Sequence, residues 1–129
     1  MASDSSASPV NAIQKRALVV DDDSTMVDFV SAVLRRAGFH VETAGDGMTA
    51  LEMCRATHFD AVVCDIRMPK LSGNSFLKNL RLTPESNCRV VLLSAMDDQT
   101  IKREVLAAGA VAYLVKPASS RAIIEAVSG

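Results

Sequence analysis

Residues 17–25 read ALVVDDDST, four apolar residues running straight into three carboxylates. Carboxylates this close repel one another, and burial favours their neutral forms. The run is therefore either a solvated turn or a seat for something positive. The apolar quartet is too short for a helix, and its paired valines suit a strand. Four more runs share that character: FHVETA (39–44), DAVVCD (60–65), RVVLLS (89–94) and VAYLV (111–115).

Between these runs the spacing becomes helical. Met26, Val30, Val33, Leu34 and Ala37 form a stripe that stops at Gly38, a fitting helix terminator. Ala50, Leu51 and Cys54 follow the turn Gly45-Asp46-Gly47, and Phe76, Leu77 and Leu80 follow Ser72-Gly73. Ile101, Val105 and Ala108 precede Gly109, while Ile123 and Val127 after Ser119-Ser120 mark a short last helix. Strands alternating with helices predict an α/β fold built on a five-stranded parallel sheet, with helices on both faces. The unbroken hydrophobic runs VVC (62–64) and VVLL (90–93) suit strands covered on both sides. Right-handed crossovers leave the flavodoxin-like order 2-1-3-4-5 as the commonest arrangement for five such strands.

The 129 residues fit one domain, and a 49% hydrophobic composition supplies a core. Residues 1–14, rich in Ser and Ala, read as a disordered tail before a domain over 15–129. Fourteen Lys and Arg against 15 Asp and Glu give no electrostatic case for nucleic acid or anionic membrane as a partner. The first residues lack the basic and apolar regions of a signal peptide. No apolar stretch approaches the roughly 18 residues that span a bilayer. Cys54, Cys64 and Cys88 show no CxxC spacing and read as buried free thiols in a reducing compartment. A cytoplasmic protein is expected.

Polar residues fall at strand ends. Asp21 and Asp22 follow the first strand, Asp65 ends the third, Ser94 ends the fourth, and Lys116 follows the fifth. In a parallel sheet these ends share one edge, where open α/β folds bind ligands. The order 2-1-3-4-5 also makes strands 1 and 3 neighbours, so Asp65 falls beside Asp21 and Asp22. Three carboxylates on one rim are a ligand set for a hard cation such as Mg²⁺. A metal and a lysine around one carboxylate suit phosphoryl transfer, with the carboxylate as nucleophile and Ser94 as a hydroxyl to a phosphoryl oxygen. Asp23, beside Ser24, reads as a helix cap or exposed residue.

The set VVDDDST, CDIRMPKLSG, LLSAM and YLVKP, in order over about residues 16–128, resembles the receiver domains of two-component response regulators. The resemblance implies that Asp21 and Asp22 hold Mg²⁺ and that Asp65 accepts a phosphoryl group from a histidine kinase or histidine phosphotransfer protein. It implies that the backbone carbonyl of Arg67 completes the metal site and that Lys116, before a cis bond to Pro117, contacts the phosphoryl group. Ser94 and Tyr113 match the family's switch pair, in which the hydroxyl moves toward the phosphoryl group and the ring turns inward. Ala118 departs from the usual Phe after Lys-Pro. Arg67 and Met96 flank the site, and long side chains there are expected to shield the phosphoryl group from water.

The function implied is a phosphorylatable switch that acts on no separate metabolite, only on its own phosphorylation and dephosphorylation. Its output is a protein contact through the fourth helix, fifth strand and fifth helix, with a downstream target or, if the chain is a fragment, an output domain of its own. Whether phosphorylation makes a homodimer is left open. An aspartyl-phosphate phosphatase of the haloacid-dehalogenase type is the alternative enzyme, using Asp21 and Asp23 as a DxD pair. The chain lacks the length for its cap, and Asp65 would go unexplained. A receiver-like adaptor that is never phosphorylated is the third reading.

Overall fold

The computed structural model describes residues 14–83 and 87–128. The expected tail falls outside the described residues except for Gln14, whose side-chain amide donates to Gly38 O at 3.1 Å. The elements run β1 (Arg16–Val20), α1 (Ser24–Arg36), β2 (His40–Ala44), α2 (Gly47–Ala56), β3 (Ala61–Asp65), α3 (Gly73–Arg81), β4 (Arg89–Ser94), α4 (Gln99–Ala107), β5 (Ala112–Val115) and α5 (Ser120–Ser128). The strands form one parallel sheet in the order β2-β1-β3-β4-β5, the order expected from the sequence. The last helix is no shorter than α3 or α4, each of nine residues.

Burial follows from position in the sheet. β3 is buried along its whole length and β4 at all but its first residue, because helices cover both faces of the central strands. The edge strands β2 and β5 bury only part of their length. Successive strand residues point to opposite faces, so two cores form. Leu18, Val20, Val62, Cys64, Val90 and Leu92 face the layer of α2, α3 and α4. Ala17, Val19, Ala61, Val63, Val91 and Leu93 face α1 and α5, where Val30, Leu34, Ile123 and Val127 close the other side. Losing one such fully buried leucine costs about 2–5 kcal/mol.

Side-chain caps start the helices and glycines end two of them. Asp23 accepts from Thr25 N–H at the head of α1, Asp46 from Thr49 N–H at α2, and Ser72 from Ser75 N–H at α3. Asp98 accepts from Thr100 and Ile101 N–H at α4. Gly38 and Gly109 take positive φ just beyond α1 and α4, the left-handed conformation that costs glycine least. Each strand consequently delivers its C-terminal residue to the same rim, ahead of a capped helix.

Candidate functional site

β1 ends at Val20 and delivers Asp21 into the sheet edge, where its N–H donates to Ala44 O at 3.1 Å. One Asp21 oxygen accepts from Asp23 N–H at 3.0 Å, which fixes the carboxylate toward the rim. Asp65 closes β3, and the next N–H, of Ile66, donates to Leu93 O at 2.9 Å. Asp21 and Asp65 are buried, whereas Asp22 is exposed. Carboxylate oxygens of Asp21, Asp22 and Asp65 lie within 4.8 Å of one another. Asp23 turns away to cap α1, as its place beside Ser24 predicted.

Lys116 supplies the cation nearest this cluster. Its N–H donates to Ser94 O at 2.7 Å, and its peptide bond to Pro117 is cis. The ammonium reaches Asp21 Oδ2 at 3.2 Å and Asp65 Oδ1 at 3.1 Å. Burial raises the Asp65 carboxyl above its usual range; Lys116 opposes the rise without cancelling it, and the charge of Asp21 adds to it. Burial pulls on Lys116 in the opposite sense, but the Asp65 and Asp21 carboxylates outweigh it and hold the ammonium above its usual range. One ammonium against three carboxylates leaves unbalanced negative charge at a rim of hard oxygen donors. That donor set fits Mg²⁺.

Ser94 and Tyr113 are both buried, and the backbone of one residue, Met96, ties them together. Met96 N–H donates to Ser94 Oγ at 3.1 Å, and Met96 O accepts from the Tyr113 hydroxyl at 2.6 Å. The same hydroxyl accepts from Asp98 N–H at 3.3 Å, so the ring is turned inward and its oxygen is held by the loop after β4. Arg67 is exposed at the head of the loop after β3, and its Nη2 reaches Met96 Sδ at 3.8 Å. A hollow of about 90 Å³ lies between Asp65, Arg67, Ser94, Met96 and Lys116.

A larger hollow, about 260 Å³, has Cys54, His58, Leu80 and Cys88 in its wall and none of the acidic cluster. Volume is a poor guide here, because the chemistry lies where the carboxylates converge. Burial pushes the Cys54 thiol up to about 12 and the Cys64 thiol well above its usual range. All three are free thiols; Cys64 and Cys88 are buried as expected, whereas Cys54 is only partly buried.

The residues expected to form the phosphoacceptor site meet at this edge: Asp21, Asp22, Asp65, Ser94 and Lys116 around the rim, with Arg67 in the wall of the hollow and Tyr113 behind Ser94. Sequence reasoning missed the residues that hold the loop after β3 in place. Gly47, Lys70 and Leu71 meet there, and the only signal of it was the turn Gly45-Asp46-Gly47.

The family model for the response regulator receiver domain matches residues 17–128. The transcriptional regulatory protein PrrA of Mycobacterium leprae is 44% identical over 102 residues, covering 79% of this chain and 43% of that protein. The chemotaxis protein CheY-3 of Vibrio cholerae is 38% identical over 110 residues, covering 84% of this chain and 85% of that protein. The receiver domain of the Francisella response regulator 1452 superposes with a TM-score of 0.82 at 36% identity, covering 88% of this chain and 93% of that one. The chain spans less than half the length of the transcriptional regulators it matches, 22% of one and 43% of another.

Proposed function

The chain belongs to the response regulator receiver domain family, a phosphorylatable module of two-component signalling, and from that premise we propose the residues that carry its chemistry. Asp65 is the phosphoryl acceptor. A carboxylate oxygen attacks phosphorus, the bond from phosphorus to the donor's histidine nitrogen breaks, and an acyl phosphate remains. The observation that carries the reading is Lys116 bridging Asp21 and Asp65 at a rim of three carboxylates. Mg²⁺ held by Asp21, Asp22, Asp65 and the Arg67 carbonyl would supply charge neutralisation for the transferred group. Lys116 orients the Asp65 oxygen and pairs with the added charge. Ser94 Oγ accepts from Met96 N–H, which leaves its own proton free to donate to a phosphoryl oxygen.

Donors are a histidine kinase or a histidine phosphotransfer protein, and the chain catalyses only its own phosphorylation and dephosphorylation. Ser94 and Tyr113 form the switch. Both hydroxyls bind the Met96 backbone, Ser94 at its N–H and Tyr113 at its carbonyl, so a shift of Ser94 toward the phosphoryl group pulls on the segment that leads into α4. Leu106, Val111 and Val115 expose apolar surface on the α4 and β5 flank, in support of an output contact there. A contact signals only if its partner distinguishes the two states. Among the described residues no helix is long and apolar enough to cross a membrane, in keeping with a cytoplasmic site of action.

Intact mass after incubation with acetyl phosphate, with and without Mg²⁺, tests the assignment on the parent and on Asp65→Asn. One added phosphoryl group that needs both the metal and Asp65 is expected. Beryllofluoride binding to the same samples distinguishes fast hydrolysis from absence of the site. Failure of both readouts on the parent would leave the adaptor reading standing.

A further inference from the structure

The loop 66–72 carries the chain from Asp65 to α3, and it is gripped at two points. At its far end Gly73 N–H donates to Ile66 O at 2.8 Å, and a Cβ on Gly73 would fall 2.3 Å from Asp65 O. In its middle, Leu71 N–H donates to Pro69 O at 2.8 Å, and Lys70 takes a φ of 71°. A lysine in the left-handed region is strained, so its neighbours must hold it there.

The neighbour is the first turn of α2. Gly47 is buried, and a Cβ added to it would lie 2.4 Å from Leu71 O and 2.8 Å from Leu71 Cβ. Gly47 has no positive φ, so glycine is required there for space and not for backbone freedom. Asp46 caps the same turn through Thr49 N–H at 2.8 Å and places its other oxygen 3.8 Å from the Lys70 ammonium. Gly45, two residues earlier, has open space where a Cβ would go.

We propose that the first turn of α2 is a positioning element for the chemistry at Asp65: Gly47 seats the backbone of Leu71 and Asp46 holds Lys70 from the flank. Together they set the path of the loop that carries Arg67. The inference rests on the reading of Asp65 and the Arg67 carbonyl given above. Neither Asp46 nor any residue of α2 belongs to the acidic cluster or lines the hollow beside Asp65, so Gly47 and Asp46 act only through the loop. A backbone ligand cannot be repaired by a rotamer change, which makes its position sensitive to anything that displaces the loop.

The test compares the full chain with Gly47→Ala, Gly45→Ala, Lys70→Gly and Val33→Ala, the last a core truncation under α1 remote from the loop. Mg²⁺ affinity is read by titration calorimetry without any phosphodonor, together with the thermal midpoint. Gly47→Ala is expected to weaken Mg²⁺ binding by about tenfold or more, as displacing the support of a metal ligand does. Gly45→Ala and Val33→Ala are expected to bind Mg²⁺ as the parent does, although Val33→Ala melts earlier. Lys70→Gly, which relieves the strained φ while removing the ammonium, is expected to lose about twofold and carries the test if Gly47→Ala does not fold. Parent-like affinity in both Gly47→Ala and Lys70→Gly, or an equal loss in Val33→Ala, would overturn the proposal. A parent that binds no Mg²⁺ would overturn the reading beneath it instead.

Discussion

The two ends of the sheet both carry charge, yet they handle it in opposite ways. At the N-terminal end Arg16 pairs with Glu42, which also meets His40 Nε2 at 3.3 Å. Asp60 accepts from Arg16 N–H at 2.8 Å and meets His58 Nε2 at 3.3 Å. The Arg16 guanidinium lies 5.6 Å from the centre of the Phe59 ring. These charges are partnered and partly in water. At the C-terminal end three carboxylates converge, one ammonium bridges two of them, and those two are buried. Charged residues at strand ends therefore do not by themselves mark a site. Imbalance together with burial does, because only there must another positive group arrive to lower the energy.

The largest effect expected from this contrast is on stability without metal. Lys116→Met strips the cation that bridges Asp21 and Asp65, while Glu42→Gln removes one partner of a pair whose side chains are each about one-third exposed. Lys116→Met is expected to cost about 2 kcal/mol, and Glu42→Gln under about 1 kcal/mol. Thermal melts with and without Mg²⁺ distinguish them further. Added Mg²⁺ should raise every melt, since a ligand that binds only the folded state stabilises it, but should narrow the Lys116→Met deficit relative to the parent and leave the Glu42→Gln deficit unchanged. Equal losses at the two ends, both indifferent to Mg²⁺, would break the contrast.

A smaller effect of opposite sign is expected at Asp65. Its folded carboxyl binds a proton more tightly than an ordinary carboxyl, chiefly through burial. As pH rises from about 3.8, the ordinary Asp value, the unfolded chain releases this proton before the folded one does, so folding stability falls until the raised folded value is passed. Asp65→Asn has no proton to release. In metal-free buffer it should match the parent most closely at the acid end and become relatively more stable as pH rises toward neutrality, by less than Lys116→Met loses. Urea titrations across that range measure the difference. A gap that closes with rising pH would mean that Lys116 outweighs burial and Asp21 at this carboxyl.

The fold was readable because its signals are local and repeated. Each apolar run lies within one residue of a strand: 39–44 against His40–Ala44, 60–65 against Ala61–Asp65, and 111–115 against Ala112–Val115. Phe76, Leu77 and Leu80, and Ile123 and Val127, are buried as their spacing implied. Period cannot see chemistry, however. Ser31 is buried inside the α1 stripe although a polar residue reads as solvent-facing, whereas Ala37 at the stripe's end is exposed. The site was readable for a different reason, since parallel strands deliver their ends to one rim and the polar residues mark those ends. Its support was not. Gly45 and Gly47 look alike in the turn, and only the approach of Leu71, 24 residues later, makes one of them irreplaceable.

The smallest expected effect concerns the contact of Arg67 with Met96, which exists only at the C-terminal end. The two side chains meet at 3.8 Å across the hollow beside Asp65, and both are exposed on their outer sides. Hydrolysis of an acyl phosphate on Asp65 requires water to reach phosphorus from the side opposite the leaving oxygen, and a bridge over the hollow narrows that path. Neither side chain holds the carboxylates, so removing the bridge should leave Mg²⁺ binding intact and shorten only the lifetime of the adduct. The Arg67→Ala, Met96→Ala double variant is expected to lose its phosphoryl group about three- to tenfold faster, a barrier change of about 0.7–1.4 kcal/mol. The measurement is intact mass at intervals after the donor is removed. Glu42→Gln should decay as the parent does, because nothing at the N-terminal end faces that water. A double variant with the parent's decay rate would sink the shielding idea and leave the lifetime to the groups proposed to meet the phosphoryl oxygens, Lys116 and Ser94.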